Sequence, residues 1–330
     1  MPLSSLLQAF ARKRGVPAAE GIRVAVIGAG RMGERHVRKL ARNPHARLFA
    51  VVDPDLARAE RLAKRHGARA FQSPDALIGH VEAVVIATPT PSHAALGRQF
   101  LNAGISCLIE KPIASTVEEA EMLTRLAAER RAILQVGHIE RFNAAVIEAA
   151  RYIHDPQFIE VNRLGPYDPR VADIGVVMDL MIHDLDMVLF LVGEPAARVE
   201  AFCAKVLSNH EDIAKVRIHF KSGCIADLSA SRVSLKKYRH IRIFQKDAYL
   251  SLDYAAPRLT VYQKKNPVVK KLSDVRILRP KLAKQDPLSL ELDHFLRCVR
   301  ERKEPFVTGR HGRDALHLAR EVLANLRVHA

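Results

Sequence analysis

Cysteine is scarce in this sequence, with only four in 330 residues. No two of them form a C-x-x-C pair, and each lies in an apolar stretch of the chain. A disulfide-rich secreted scaffold and a cysteine-rich zinc site both need closely spaced cysteines, so neither is expected. We predict buried thiols of a cytoplasmic protein. The four are Cys107, Cys203, Cys224 and Cys298.

Long apolar runs are also missing. No window reaches the roughly 18 apolar residues that a membrane-spanning helix needs, so we expect no membrane insertion. A short apolar patch lies in Met1–Gly15, but basic residues follow it instead of preceding it, and it lacks a small-residue cleavage site. This order is unlike that of a signal peptide, and we interpret residues 1–20 as an N-terminal extension.

Acidic residues are outnumbered, because 52 Lys and Arg face 36 Asp and Glu and leave a formal net charge of +16. Nucleic acid, an anionic membrane surface or a phosphorylated substrate would each suit such a charge. The basic residues are spread along the chain, without an RNP-like aromatic pattern or a recognised DNA-binding motif. The sequence therefore favours a diffuse basic surface or a polyanionic small-molecule partner over nucleic acid.

A glycine-rich turn follows the first predicted strand, Arg23–Ile27. Gly28, Gly30 and Gly33 form G-x-G-x-x-G between that strand and a predicted helix. Gly28 permits the tight turn, and Gly30 lets the backbone approach a pyrophosphate. Gly33 lets the helix pack closely, and the helix N-terminus favours the phosphates. The context predicts a dinucleotide site.

The type of dinucleotide is indicated by the next strand. Leu48–Val52 ends in Asp53, 20 residues after Gly33. A carboxylate there accepts hydrogen bonds from the adenosine ribose and repels a 2′-phosphate. We therefore predict NAD, with the nearby Arg58 as the feature that keeps NADP open.

The pattern of strands and helices changes near residue 143. Before it, short apolar strands alternate with helices, and polar residues follow the strands at Thr88-Pro89 and Glu110-Lys111-Pro112. After it, strands follow one another through turns such as Lys221-Ser222-Gly223, and helices are predicted over 143–153, 288–302 and 310–328. We predict an N-terminal Rossmann domain, a doubly wound parallel sheet, over 21–143. We predict a C-terminal α+β domain with a largely antiparallel open sheet over 144–330.

A long apolar helix, Val177–Val192, carries Asp179 and His183 four residues apart. That spacing places both on one face of a helix, where two ionisable groups are costly unless they are satisfied. One interpretation is a catalytic pair; the other is a histidine satisfied at the helix surface or in the core. Asp184 next to His183 points in another direction, so we predict no catalytic metal.

Taken in order, these motifs resemble the Gfo/Idh/MocA oxidoreductases from about Gly21 onward. The resemblance is carried by G-x-G-x-x-G-x-x-H ending at His36, by Ala87-Thr88-Pro89 with His93, by E-K-P at 110–112 and by D-x-x-x-H at 179–183. The segments 136–143, 163–166 and 178–184 resemble members that act on nucleotide sugars in surface-polysaccharide and lipid A pathways. The implied activity is NAD-dependent oxidation of the 3-hydroxyl of UDP-N-acetylglucosamine.

The resemblance implies a cofactor site at the glycine turn and the strand ends, comprising Gly28, Gly30, Arg31, Met32, Gly33, Asp53, Thr88, Pro89, His93, Glu110 and Lys111. It implies a substrate site comprising Lys111, His138, Arg141, Asn143, Arg163, Asp179 and His183. For His138, Arg141 and Asn143, a salt-bridge cluster at the domain boundary is equally expected. The resemblance also implies a cis bond before Pro112 and a homodimer or homotetramer formed through the C-terminal sheet.

The expected chemistry moves a hydride from a carbinol carbon to nicotinamide while a base takes the hydroxyl proton. His183 is the natural base, because histidine titrates near neutrality, and Asp179 would orient it. Lys111 would hydrogen-bond the reacting oxygen, with a neutral Lys111 as the alternative base. Two other functions stay open: a dehydrogenase of a free polyol or sugar, and a non-catalytic dinucleotide-binding regulator.

Overall fold

The computed structural model describes residues 21–169 and 173–328, so the N-terminal extension lies outside the described residues. The described chain forms two units. One contains 21–142 and 285–316, and the other contains 143–284 and 317–328. None of the described helices combines the length and apolar character that a membrane crossing requires. All four cysteines are buried and free, as predicted.

The first unit is built on a parallel sheet with helices between its strands. Its elements are β1 (Ile22–Ile27), α1 (Arg31–Leu40), β2 (Ala46–Val52), α2 (Leu56–Lys64), β3 (Arg69–Phe71), β4 (Ala83–Ile86), α3 (His93–Asn102), β5 (Ser106–Ile109), α4 (Val117–Arg130) and β6 (Leu134–Val136). Short 3-10 turns occupy Pro74–Leu77, Thr90–Ser92 and Ile139–Phe142.

The six strands lie in the order β3-β2-β1-β4-β5-β6, and every pairing is parallel. The order reverses between β1 and β4, and ligands of such sheets bind at the carboxyl ends of the strands beside that point. The predicted doubly wound sheet is therefore confirmed. The residues that follow β1, β2, β4 and β5 all open onto this edge.

Local sequence signals place the helix ends of this unit. Thr116 accepts a hydrogen bond from the Glu119 amide, and the Glu119 side chain accepts one from the Thr116 amide, which forms a capping box. Helix α4 then ends at Arg131 in the left-handed conformation, with φ of 54°. These caps fix where α4 starts and stops beside β6.

The second unit is built on a nine-stranded sheet. Its elements are α5 (Ala144–Ala149), β7 (Pro156–Leu164), a π-helical turn (Val177–Met181), α6 (Ile182–Val192), β8 (Ala196–Ala204), β9 (Ile213–Phe220), β10 (Ile225–Ser231), β11 (Tyr238–Gln245), β12 (Ala248–Asp253), β13 (Arg258–Lys264) and β14 (Val275–Leu278). The chain then forms α7 (Pro287–Glu301), α8 (Gly309–Ala324) and β15 (Leu326–Val328).

The strand order is β14-β13-β12-β11-β7-β10-β9-β8-β15. Among the described strands of this second sheet, only the pairs β7/β10 and β8/β15 are parallel, so the predicted, largely antiparallel sheet is confirmed. Val216, Ile218 and Phe220 of β9 are buried, while Lys215 and Arg217 on either side of Val216 are exposed. One face of the sheet is thus covered within the unit.

Three details differ from the sequence-based prediction. The last helix was expected over 310–328, but α8 ends at Ala324 and β15 pairs with β8. The helix expected over 143–153 is only α5, and β14 was not predicted at all. Each error concerns a short segment with few apolar residues, for which hydrophobic periodicity is a weak signal.

Helix α7 belongs to the core of the first unit. Leu288, Leu292, Phe295 and Leu296 are buried in the same cluster as the β1 and β2 side chains. The helix starts at Asp286, whose side chain accepts a hydrogen bond from the Ser289 amide, with Pro287 at the first helical position. Its apolar stripe therefore completes a core that the first 142 residues leave open.

Candidate active site

The glycine turn has the geometry of a phosphate cradle. Gly28 has φ of 99°, and a Cβ there would lie 2.6 Å from the Ala87 carbonyl oxygen. A Cβ at Gly33 would collide with the Gly28 carbonyl. A Cβ at Gly30 would meet no atom within 4 Å. The fold itself thus needs Gly28 and Gly33, whereas Gly30 leaves open space at the N-terminus of α1, where a pyrophosphate fits.

Asp53 is tied directly to that turn. Its Oδ2 accepts a hydrogen bond from the Ala29 amide at 2.8 Å, and its Oδ1 accepts one from the Asp55 amide at 2.9 Å. Each carboxylate oxygen has a second lone pair for a ribose hydroxyl. Arg58 Nη1 lies 4.0 Å from Asp53 Oδ1, and its Nη2 lies 3.4 Å from Asp55 Oδ2. The arginine is therefore engaged by carboxylates.

The ends of β4 and β5 are joined by His93. Its Nε2 lies 2.9 Å from the Thr88 carbonyl oxygen, and its Nδ1 lies 2.8 Å from the Pro112 carbonyl oxygen. The ring is only 1% exposed. His93 was expected at the cofactor, and the structure places it behind the strand ends. The Lys111–Pro112 peptide bond is cis, as the resemblance implied.

Glu110, the residue before Lys111, is buried and pairs with His36. His36 Nε2 of α1 is 2.7 Å from Glu110 Oε1, and the Lys111 amide donates to Glu110 Oε2 at 3.3 Å. Burial alone would raise the pKa of Glu110, but the hydrogen bond and charge of His36 and the charge of Lys111 outweigh it and lower that pKa. Glu110 is therefore a carboxylate that links the helix of the glycine turn to the end of β5.

Three residues expected at the substrate site, His138, Arg141 and Asn143, are all buried. His138 and Arg141 are each 1% exposed, and the Arg141 guanidinium lies 5.8 Å from the centre of the Phe306 ring. Asn143 begins α5, where its Oδ1 accepts from the Ala145 amide at 3.0 Å. Its Nδ2 donates to the Tyr254 carbonyl at 3.1 Å. The Asn143 amide is thus committed to holding its own unit together.

Arg163 belongs to a buried cluster that includes Asp184, the residue after His183 in the chain. Its guanidinium binds Asp184 through both carboxylate oxygens, at 2.8 and 2.9 Å. The Tyr254 hydroxyl accepts from Arg163 at 3.1 Å and donates to Asp184 at 2.7 Å. Arg163 is 2% exposed and Asp184 1%. Removing one member of such a pair leaves a buried charge uncompensated, which typically costs about 3–5 kcal/mol.

Asp179 and His183 lie in the second unit at the start of its apolar helix. Both are partly exposed, whereas Met181, Ile182 and Asp184 around them are buried. The sequence predicted a continuous helix, but the first turn, which contains Asp179, is π-helical. Such turns occur frequently at functional sites. The four-residue spacing still keeps both side chains on the accessible side.

The start of that helix is anchored by residues that sequence reasoning did not identify. The Val176 amide donates to the Glu211 carbonyl at 2.9 Å, and the Val177 amide donates to Glu211 Oε1 at 3.2 Å. Arg232 binds Asp212 at 2.7 Å and the Ile174 carbonyl at 2.5 Å. Burial would raise the pKa of Asp212, but hydrogen bonds from backbone amides and from Arg232 lower it. Nothing in the local sequence signals this anchor, because its partners are distant in the chain.

Comparison with known proteins defines the class. Residues 22–138 match the Gfo/Idh/MocA oxidoreductase family with an NAD-binding Rossmann fold, and residues 131–251 match the C-terminal domain of the same family. The chain belongs to the Gfo/Idh/MocA oxidoreductases, enzymes that use NAD, as the sequence motifs predicted.

Individual members of this family resemble the chain to different degrees. A UDP-N-acetylglucosamine 3-dehydrogenase of Acidithiobacillus ferrooxidans is 37% identical over 306 residues, which cover 91% of this chain and 96% of the relative. A solved structure of that enzyme has a TM-score of 0.88 and covers 93% of this chain and 98% of its own. A scyllo-inositol 2-dehydrogenase of Bacillus subtilis is 29% identical over 311 residues, covering 87% of this chain and 89% of the relative.

Proposed function

We propose that the protein oxidises the 3-hydroxyl of UDP-N-acetylglucosamine to the 3-keto sugar with NAD. The observation that carries the proposal is the likeness to a UDP-N-acetylglucosamine 3-dehydrogenase, which extends over nearly the whole chain at higher identity than the likeness to the scyllo-inositol dehydrogenase. The formal net charge of +16 supports it, because the substrate carries a diphosphate.

In this proposal the chain supplies the acid–base chemistry. The glycine turn and Asp53 would hold NAD, which would supply the acceptor for the hydride of the carbinol carbon. His183 takes the hydroxyl proton, and Asp179 orients its ring and stabilises the imidazolium that forms. The Lys111 ammonium donates a hydrogen bond to the reacting oxygen and so favours alkoxide character on it. Glu110 holds Lys111 through its negative charge and is itself held by His36.

The remaining site residues divide into those that contact a ligand and those that support the site. The glycine turn, Asp53, Thr88 and Pro89 contact the cofactor in our proposal. His93 supports the strand ends from behind, since both of its ring nitrogens already face carbonyl oxygens. Arg163 serves the substrate site through Asp184, because its guanidinium is buried in that pair.

We further propose a cytoplasmic reaction whose product enters surface-polysaccharide or lipid A synthesis. The four free, buried thiols suit a reducing compartment. A 3-keto sugar is a substrate for transfer of an amino group, so an aminotransferase is the expected next enzyme. Adding a 3-keto-sugar aminotransferase and an amino donor should pull the equilibrium and raise the NADH yield, whereas an unchanged yield would contradict this order.

A second copy of the chain is the proposed partner of the sheet. The face opposite the buried one carries a ladder of aromatic rings, Phe158, Phe244, Tyr249 and Tyr262, with neighbouring centroids 4.9–5.7 Å apart. Phe244 is 37% exposed. Light scattering at micromolar concentration should give the mass of a homodimer or homotetramer, and the mass of a single chain would contradict the proposal.

The role of Asp53 predicts a change of cofactor preference. Replacing Asp53 with asparagine keeps an oxygen for the Ala29 amide but removes the charge that repels a 2′-phosphate. We expect the ratio of NAD to NADP affinity, measured by titration calorimetry, to fall by about tenfold or more, which is ~1.4 kcal/mol. Asp55→Asn is the control, because Asp55 is an exposed helix cap two residues away. A fall of equal size in the control would contradict the assignment.

The substrate assignment is tested by mixing the protein with NAD and a panel of sugars and following NADH absorbance. UDP-N-acetylglucosamine should give the highest kcat/KM, above UDP-glucose, free N-acetylglucosamine and inositol. Turnover of inositol or glucose without any UDP-sugar activity would favour the polyol dehydrogenase. Tight NAD binding without turnover of any of these would favour the regulator.

A further inference from the structure

Helix α7 carries a carboxyl group that the proposed reaction does not use. Glu291 is 0% exposed, and neither of its carboxyl oxygens has a hydrogen-bond partner among the described residues. A buried carboxylate without a hydrogen bond or a cation is strongly disfavoured, so a group in this position keeps its proton. The backbone there is fixed, because Gln135 of β6 donates to the Glu291 carbonyl at 3.2 Å.

The charge that acts on Glu291 comes from Glu110. Burial raises the pKa of Glu291 well above its ordinary value, and the negative charge of Glu110 adds to that rise. Glu110 itself ionises readily, because His36 and Lys111 stabilise its carboxylate. The two buried carboxyl groups therefore differ in protonation, a pattern that often marks an acid and a base with separate tasks.

Other ionisable groups lie on the elements that pack against α7. Helix α1 contributes His36 and Lys39, and the turn Ile139–Phe142 contributes Glu140 and Arg141. Lys39 is paired with Asp286 at 3.2 Å, at the start of α7. His36 faces Glu110 through Nε2. Among the described residues, Glu110 supplies the charge that bears on the Glu291 carboxyl.

We propose that Glu291 is a positioning residue that stores one buried proton behind Glu110, so that a single negative charge, located on Glu110, is held beside Lys111. The inference rests on the role of Lys111 proposed above. A second carboxylate would add negative charge to that of Glu110 and so strengthen the hold of the site on the Lys111 proton. The proton on Glu291 thus maintains the charge balance of the reactive strand end.

Infrared difference spectroscopy tests the stored proton without any substrate. At neutral pH the wild-type protein should show the C=O stretch of a buried carboxylic acid, and Glu291→Gln should lack it. Glu301→Gln is the matched control, because it makes the same change at an exposed position of the same helix, and it should keep the band. Glu110→Gln should lower the pH at which the band disappears. A wild-type spectrum without the band, or a band that survives in Glu291→Gln, would overturn the proposal.

Stability against pH gives an independent test. The folded-state pKa of Glu291 is raised, so the unfolded chain releases this proton above the ordinary glutamate pKa of about 4.3 while the folded protein retains it. Wild-type stability is therefore penalised increasingly as pH rises from that value toward the folded-state pKa. Glu291→Gln has no proton to lose on unfolding, so its stability does not carry this dependence on pH. The Tm of the variant minus the Tm of the wild type should therefore increase from about pH 5 to about pH 8. A margin that is constant with pH would overturn the proposal.

The proposed link between Glu291 and Lys111 is tested by the pH dependence of kcat. Glu291→Gln should retain most of the turnover at neutral pH, because the amide mimics the protonated acid. The alkaline decline of kcat, at which Lys111 loses its proton, should move to lower pH, because the variant cannot form the second carboxylate that would hold that proton. Glu301→Gln should leave the profile unchanged. An unmoved alkaline limb with a positive infrared result would overturn the positioning role. Failure of the substrate assignment would leave the infrared and Tm results intact, so the two failures can be told apart.

Discussion

Replacing His183 with alanine should lower kcat for oxidation of UDP-N-acetylglucosamine by about 10³-fold, within the range of about 10²–10⁴ that a positioned general base contributes. The proton of the reacting hydroxyl would then have no side-chain acceptor in the proposed mechanism. Binding of NAD should be unchanged, because the glycine turn and Asp53 belong to the other unit. Stopped-flow measurement of NADH formation, together with calorimetric titration of NAD, separates the two effects.

A matched variant shows whether the loss is specific. His210→Ala removes an exposed histidine of the same unit and should leave kcat unchanged. Exogenous imidazole should restore part of the turnover of the His183 variant, since the alanine leaves space for a diffusible base. Weakened NAD binding with turnover intact at saturating cofactor would remove His183 from the role proposed here.

Replacing Lys111 with methionine should cause a loss of similar size, about 10³-fold in kcat, because an oxyanion donor typically contributes about 10²–10³. Methionine keeps the length of the side chain but cannot donate a hydrogen bond to the developing alkoxide. Lys111→Arg should not restore turnover, since a planar guanidinium presents its donors in another geometry. Steady-state kinetics at saturating NAD measure both variants.

The proposed partnership between Lys111 and His183 is tested by combining the variants. Both groups act on one O–H bond, so the double variant should lose little more than the worse single variant. Lys64→Met removes an exposed lysine at the last turn of α2 and serves as the control. Fully additive losses in the double variant would show that the two side chains act in separate steps.

Much of the dinucleotide unit could be predicted from the sequence, because its signals are local. The glycine turn, the acidic end of β2 and the capping box at Thr116 each specify a geometry within a few residues. The structure adds a distinction that the pattern does not contain: Gly28 and Gly33 are required by the fold itself, whereas Gly30 is not.

The features that were not predicted depend on distant partners. Arg163 carries a guanidinium suited to phosphate, but only the structure shows it bound to Asp184 and Tyr254. The π-helical turn escaped prediction because a four-residue spacing fits it and an α-helix alike. Glu291 reads in the sequence as an ordinary helix glutamate, and its burial depends on packing against strands far away in the chain.

The return of α7 to the first unit affects the order in which the protein can be completed during synthesis. Leu292 and Phe295 close a core whose strands end at Val136, so the ribosome must make β7 to β14 of the second sheet before the first core can close. In a nascent chain that stops before residue 285, the apolar side chains of β1 and β2 that α7 covers would remain exposed to water. We expect protease digestion of ribosome-bound chains to show protection of 21–142 only once α7 has emerged, although the strands of this unit are the first to be made.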